Sequence, residues 1–147
     1  MPREPAVIGS RDRMKTLVVT AGVVIERGKV LVTQRKEGSS QGLLWEFPGG
    51  KLENGETPRV ALRRELKEEL DVEVEVGQIF ETVYYPYPES PILLLVYHCR
   101  IVKGLLKPLG CRDLRWVSLK ELKDLTMPPA DDPIRGHLFS SEENFFS

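Results

Sequence analysis

Residues 50–72 read GKLENGETPRVALRRELKEELDV, and the end of that stretch breaks two rules of helix stability in a single turn. Glu65, Glu68 and Glu69 crowd the last turn of the helix this pattern predicts, with Asp71 just beyond. A helix C-terminus already carries partial negative charge, so acids there are disfavoured. Glu65 and Glu69 are also like charges four apart, which costs about 0.2–0.5 kcal/mol in an isolated helix. Local violations of this kind concentrate at functional sites. A divalent cation is the simplest compensation, because Mg²⁺ takes one or two carboxylates together with phosphate oxygens and water.

The helix has readable ends. Thr57 is placed to cap it, Pro58 suits its first position, and the pattern runs to about Leu70. Leu62, Leu66 and Leu70 form a stripe four apart, and at about 100° per residue the three glutamates fall beside that stripe. The acids therefore stand at the rim of a buried face, where a cleft can form. The plain alternative is an amphipathic surface helix with a solvated acidic side.

Working outward, residues 17–25 and 29–35 are β-rich runs joined by Glu26-Arg27-Gly28, a hairpin signal. Residues 37–42 form a polar loop, and residues 45–50 turn through Pro48-Gly49-Gly50 into the helix. Strands are predicted at 72–76, 79–84, 92–101 and 114–117, a short Ser-capped helix at 118–125, and a last helix opening at Asp131 or Asp132 before Pro133. Strands interleaved with a few helices imply an α/β fold with a mixed β-sheet. Residues 1–15, polar and without periodicity, read as a flexible N-terminal tail, with a single domain over 16–147.

The chain has 147 residues and a formal net charge of −1, with acids and bases mixed along it. That balance carries no footprint for duplex nucleic acid, so an anionic substrate must be managed locally by metal and a few cations. Cys99 and Cys111 match no zinc or redox spacing, the longest apolar run is too short to span a bilayer, and no signal peptide opens the chain. A cytoplasmic protein with no membrane partner, monomer or homodimer, is the expectation. His98 and His137, the two histidines, have no metal partner in spacing and are read as structural.

Gly50, Glu56, Arg64-Glu65-Leu66, Glu68-Glu69 and Val72 resemble the signature of the Nudix hydrolases, G-x5-E-x7-R-E-U-x-E-E-x-G-U, with U an aliphatic residue. Eight of its nine fixed positions match; Asp71 stands where the family usually has Gly. Asp tolerates the left-handed conformation needed there better than most residues. The resemblance implies an α/β/α sandwich and Mg²⁺-dependent hydrolysis of a nucleoside diphosphate linked to another group, with Mn²⁺ as an alternative metal. It further implies metal ligation by Glu68, Glu69, the Gly49 carbonyl and Glu65, with Glu65 also a candidate base. Arg64 is expected to orient one of these carboxylates by a bidentate pair, and Glu56 to support from behind.

Four shorter pieces resemble the MutT-like branch, which includes 8-oxo-dGTP and CTP pyrophosphohydrolases: VTQR at 32–35, WEFPGGK at 45–51, RWVSL at 115–119 and PPAD at 128–131. By that resemblance Arg35 contacts the nucleotide, Phe47 lines the base pocket, Lys51 meets phosphate and Asp131 reads the base edge. Phe47 reads equally as plain core, and Glu46 as a further carboxylate on the metal side. Two departures matter. Gly110 occupies a loop position where many members carry a Glu, which throws the base role onto Glu65 unless Asp113 reaches in. Asp131 stands where the oxidised-guanine enzyme has Asn, and an ionised Asp only accepts hydrogen bonds. That tilts the expectation towards cytosine nucleotides, although a protonated Asp131 can still donate to 8-oxoguanine. The expected function is a nucleoside triphosphate pyrophosphohydrolase, for which the resemblance implies a role in nucleotide-pool sanitation. Alternatives are a Nudix hydrolase of ADP-ribose, dinucleoside polyphosphates or NADH, and a non-catalytic nucleotide-binding regulatory domain.

Overall fold

The computed structural model describes residues 15–141; the expected N-terminal tail lies almost wholly outside them. Seven strands and three helices follow in the order β1 (Leu17–Glu26), β2 (Lys29–Gln34), β3 (Trp45–Glu46), β4 (Gly49–Lys51), α1 (Pro58–Leu70), β5 (Glu73–Pro86), β6 (Pro91–Lys103), β7 (Asp113–Val117), α2 (Leu119–Asp124) and α3 (Asp132–Ser140). The sheet runs β3-β2-β1-β6-β5, with β4 also on β1 and β7 also on β2. Only the β1–β6 pair is parallel among the pairings described, so the sheet is mixed. The β1–β2 hairpin turns at Arg27-Gly28, both at positive φ (51° and 76°). Two such residues match the right-handed twist of the strands they join.

Strand alternation sorts the core into two layers. Val24 and Leu31 face α1 and pack with Leu62, Leu66, Leu70, Val72 and Cys99. Their neighbours Val23, Val30 and Val32 face the other side, with Leu122 of α2 and Ile134 and Leu138 of α3. An α/β/α sandwich results. Leu62, Leu66 and Leu70 are fully buried, and each contributes about 1.5–3 kcal/mol by leaving water. This stripe fixes the rotation of α1 and thereby sets Glu65 against Gly50 of β4.

Helix α1 ends as its sequence dictates. The Thr57 side chain accepts from the Val60 N–H, Pro58 is the first helical residue, and Asp71 takes the left-handed conformation (φ 61°, ψ 34°) with its N–H on the Lys67 carbonyl. Two expectations need revision. The strands predicted at 72–76 and 79–84 are one strand, β5, whose pairing with β6 shifts register between Val76 and Ile79 and again before Glu81. Gly77 thus marks an irregularity within a strand and not its end, a common use of a strand glycine. The turn through Pro48-Gly49-Gly50 is framed by two short strands, β3 and β4, which the sequence pattern did not separate. Among the described residues no helix is long and apolar enough to cross a membrane.

Candidate active site

Strand β4 brings the start of the motif against β1, with Thr20 opposite Gly50 and Ala21 opposite Gly49. A side chain at Gly49 would collide with the Thr20 backbone, and one at Gly50 with the Glu65 carboxylate. Gly50 is therefore the floor on which Glu65 rests, which explains a glycine at that spacing from the helix.

Arg64 organises the acids. Its Nε and Nη2 donate to the two oxygens of Glu56 at 2.6 and 2.9 Å, the bidentate fork that a lysine cannot reproduce. Its Nη1 donates to Glu65 (3.0 Å) and Glu68 (3.0 Å), while Nη2 also reaches the Lys51 carbonyl (3.0 Å). The hydrogen bonds from Arg64, aided by the Glu53 N–H, hold Glu56 down to about 2. Glu56 is consequently a fixed anion that anchors the arginine rather than a proton carrier. The Glu68 side chain is 56% exposed, whereas that of Glu65 is 22% exposed.

Glu69 behaves differently. Burial, then the charges of Glu46 and Glu65, push its carboxyl up to about 8. Its Oε1 is buried without a hydrogen-bond partner, as is Thr33 Oγ1 beside it. Burial also raises Glu65, with Arg64 opposing, and raises Glu46, with Arg35 opposing. Buried carboxylates with too few donors are strongly disfavoured as anions, and a bound cation reverses that preference. The donor set, hard oxygens from Glu65 and Glu69 with Glu68 at the solvent side, fits a divalent metal of the Mg²⁺ type. Among the described residues no three such side chains are already gathered into a cage, because Arg64 holds Glu65 and Glu68 to itself.

Beside the acids opens a cavity of about 400 Å³, lined among others by Arg35, Glu46, Phe47, Gly49, Lys51, Tyr87 and Asp131. The sequence-predicted residues Arg35, Phe47, Lys51 and Asp131 thus share one cavity with Gly49. Arg35 is held on Glu46 (3.2 Å) and donates from Nε to the Ser40 carbonyl (2.6 Å). Phe47 belongs to both readings: it is buried in the main core and lines the cavity.

Asp131 is only 6% exposed, in a 3-10 turn (Pro129–Asp131) that leads into α3, and its side chain caps no helix. Burial, and then the charge of Glu46, push its carboxyl well above the ordinary range, with Arg135 opposing. Burial thus favours the protonated form of Asp131, the form able both to donate and to accept.

The loop before β7 resolves the other departure. The N–H groups of Leu109 and Gly110 donate to the Glu69 carbonyl and that of Lys107 to the Leu70 carbonyl, closing the end of α1. Gly110 lies against Glu69, and a Cβ there would stand 3.2 Å from the Glu69 Cα. Asp113 does not reach the acids; its exposed carboxylate accepts from the adjacent Leu114 N–H. His137 stacks on Phe80 with ring centroids 3.9 Å apart and lies 3.2 Å from the Glu81 carboxylate, away from the acid cluster's contacts. Tyr87 escaped the sequence reading, since only its place in the β5–β6 turn brings it to the cavity.

Residues 16–138 match the NUDIX domain family model. The chain is 37% identical over 121 residues to a CTP pyrophosphohydrolase of Escherichia coli, covering 82% of this chain and 90% of that protein. It is 33% identical over 134 residues to an 8-oxo-dGTP diphosphatase of Haemophilus influenzae, covering 89% and 97% respectively. The solution structure of the Escherichia coli ORF135 protein superposes with a TM-score of 0.75 at 35% identity, covering 87% of this chain and 91% of that one. Signature, fold and near full-length similarity agree, and the chain belongs to the Nudix hydrolase family.

Proposed function

We propose that the protein is a Mg²⁺-dependent nucleoside triphosphate pyrophosphohydrolase that takes cytosine nucleotides or oxidised dGTP and releases the monophosphate and pyrophosphate. The observation that carries this reading is the adjoining of a cation-seeking acid cluster and a cavity lined by the buried Asp131. When bound at these acids, Mg²⁺ would supply positive charge against that developing on the phosphates. Glu69 and Glu65 would hold it, with Glu68 from the solvent side and the Gly49 carbonyl from the floor. Glu65 is the acid placed to accept the proton of the attacking water, since Gly110 has no side chain to offer and Asp113 is turned away. Arg64 fixes Glu65 for that task, with Glu56 anchoring Arg64 in turn. Lys51 and Arg35 supply positive charge to the phosphates and sugar end.

A neutral carboxyl pairs with any base edge that presents a donor beside an acceptor. Cytosine N4–H and N3 are such a pair, and guanine N1–H and O6 are another. A protonated Asp131 therefore suits both substrate types named in the relatives. Free buried thiols at Cys99 and Cys111 accord with a reducing, cytoplasmic setting.

A nucleotide panel with Mg²⁺ tests the assignment. CTP, dCTP, 5-methyl-dCTP or 8-oxo-dGTP is expected to exceed ADP-ribose, NADH and dinucleoside polyphosphates by at least about tenfold in kcat/KM, the factor set by one well-made polar contact. Preference for one of those three would move the protein to another branch, and binding without turnover of any nucleotide would make it a non-catalytic domain.

A further inference from the structure

The cavity lining contains a residue that no motif singles out. Tyr87 lies in the turn between β5 and β6, flanked by Pro86 and Pro88, and its N–H donates to the Tyr85 carbonyl (3.1 Å). A proline on each side narrows its backbone choices. The Tyr85 ring packs on its own at 4.5 Å between centroids. The side chain is thus held from behind and reaches into the cavity, where it meets a segment 43 residues away.

That segment is the 3-10 turn carrying Asp131. Pro128 provides no side-chain cap and Pro129 has no N–H, so Ala130 owns the first free amide of the turn. Ala130 is buried, and a buried amide left unpaired is strongly disfavoured. The amide donates to the Tyr87 hydroxyl oxygen at 3.1 Å. Gln41, from the β2–β3 loop, lines the same cavity. One oxygen atom therefore ties together two segments, the β5–β6 turn and the turn that carries Asp131.

We propose that Tyr87 is a positioning residue for base recognition: its hydroxyl caps the turn through Ala130 and so fixes where Asp131 presents its carboxyl. The proposal rests on the reading of this cavity as the base site. Tyr87 acts through Ala130 and Asp131 and has no part in the metal or water chemistry. The function of the hydroxyl is geometric, so its loss is felt in KM and in base choice rather than in turnover.

Tyr87→Phe keeps the ring and its contact with Tyr85 while removing the one oxygen. Against the preferred nucleotide of the panel, KM is expected to rise by about tenfold, as for one lost polar contact, with kcat within about twofold. The preference for that nucleotide over the poorest triphosphate of the panel is expected to fall about fivefold or more on the same ground. Amide exchange gives an independent reading: Ala130 should lose protection while the amides of α1 keep theirs. Asp131→Ala, measured alongside, separates the two layers of inference. Unchanged KM and unchanged preference in Tyr87→Phe overturn the proposal. If Asp131→Ala then loses base preference, only the role of Tyr87 fails; if it too keeps it, the base is read elsewhere. An equal fall in kcat on every nucleotide, with a lowered Tm, would also overturn the proposal, because that is the mark of a general structural role.

Discussion

Glu69→Gln is expected to lower kcat by about a hundredfold or more at saturating Mg²⁺, because losing a metal contact removes several kcal/mol of charge stabilisation in the transition state. The fold should survive, since a neutral amide suits that buried position better than a carboxylate does. The same residue sets a pH signature in the metal-free protein. Its carboxyl is raised from an ordinary 4.5 to about 8. A group raised on folding contributes stability that is fully present below 4.5 and is lost as pH rises towards 8. Glu65 and Glu46 are raised as well and act in the same direction. Glu56 has the opposite sign: its contribution is present above 4.5 and disappears only as pH falls towards about 2. Thermal unfolding in EDTA should therefore show Tm declining between about pH 5 and 8. Mg²⁺ should reverse the decline, stabilising more at pH 8 than at pH 6 because binding must expel the proton. Glu69→Gln should flatten much of the slope and of the metal effect. A Tm that rises steadily over this range in the metal-free wild type would contradict the assignment of Glu69.

Asp131→Ala is expected to lower kcat/KM for the preferred nucleotide by about 5- to 150-fold, the range set by losing a buried contact worth 1–3 kcal/mol. Asp131→Asn keeps a donor and an acceptor and should fall much less. The contrast with pH sharpens this. Ionisation removes the Asp131 donor, so base preference in the wild type should weaken as pH rises. In Asp131→Asn the preference should hold across the same range. Competition between CTP and 8-oxo-dGTP over a pH series reads both effects. Equal base preference in wild type and Asp131→Ala would remove Asp131 from recognition.

What the sequence reveals here is what is encoded locally. Thr57, Pro58 and Asp71 mark both ends of α1 because capping depends on neighbours in the chain. The Leu62, Leu66 and Leu70 stripe places the acids on the rim because helical periodicity is fixed. Even the bidentate pairing of Arg64 is foreshadowed by residue type, although its partner is Glu56, eight residues back in the preceding loop. Charge state is not local. The sequence leaves Asp131 open between its ionised and protonated forms, and the burial near Glu46 that favours the protonated one comes only with the fold. Likewise the unsatisfied Glu69 Oε1 depends on Thr33 from β2 and on the loop that Gly110 brings over the helix end. Tyr87 was invisible for the same reason, since Ala130 is distant in sequence and adjacent only across the cavity. Gly77 misled because a glycine that ends a strand and one that shifts its register look alike in sequence.

The most direct test of the central claim is product analysis of CTP and 8-oxo-dGTP hydrolysis, by phosphorus NMR or anion-exchange chromatography, with Mg²⁺ and with EDTA. Metal-dependent attack at the acid cluster predicts monophosphate and pyrophosphate in equal amounts with Mg²⁺, and no turnover with EDTA. Diphosphate and orthophosphate as the products, or undiminished hydrolysis in EDTA, would contradict it.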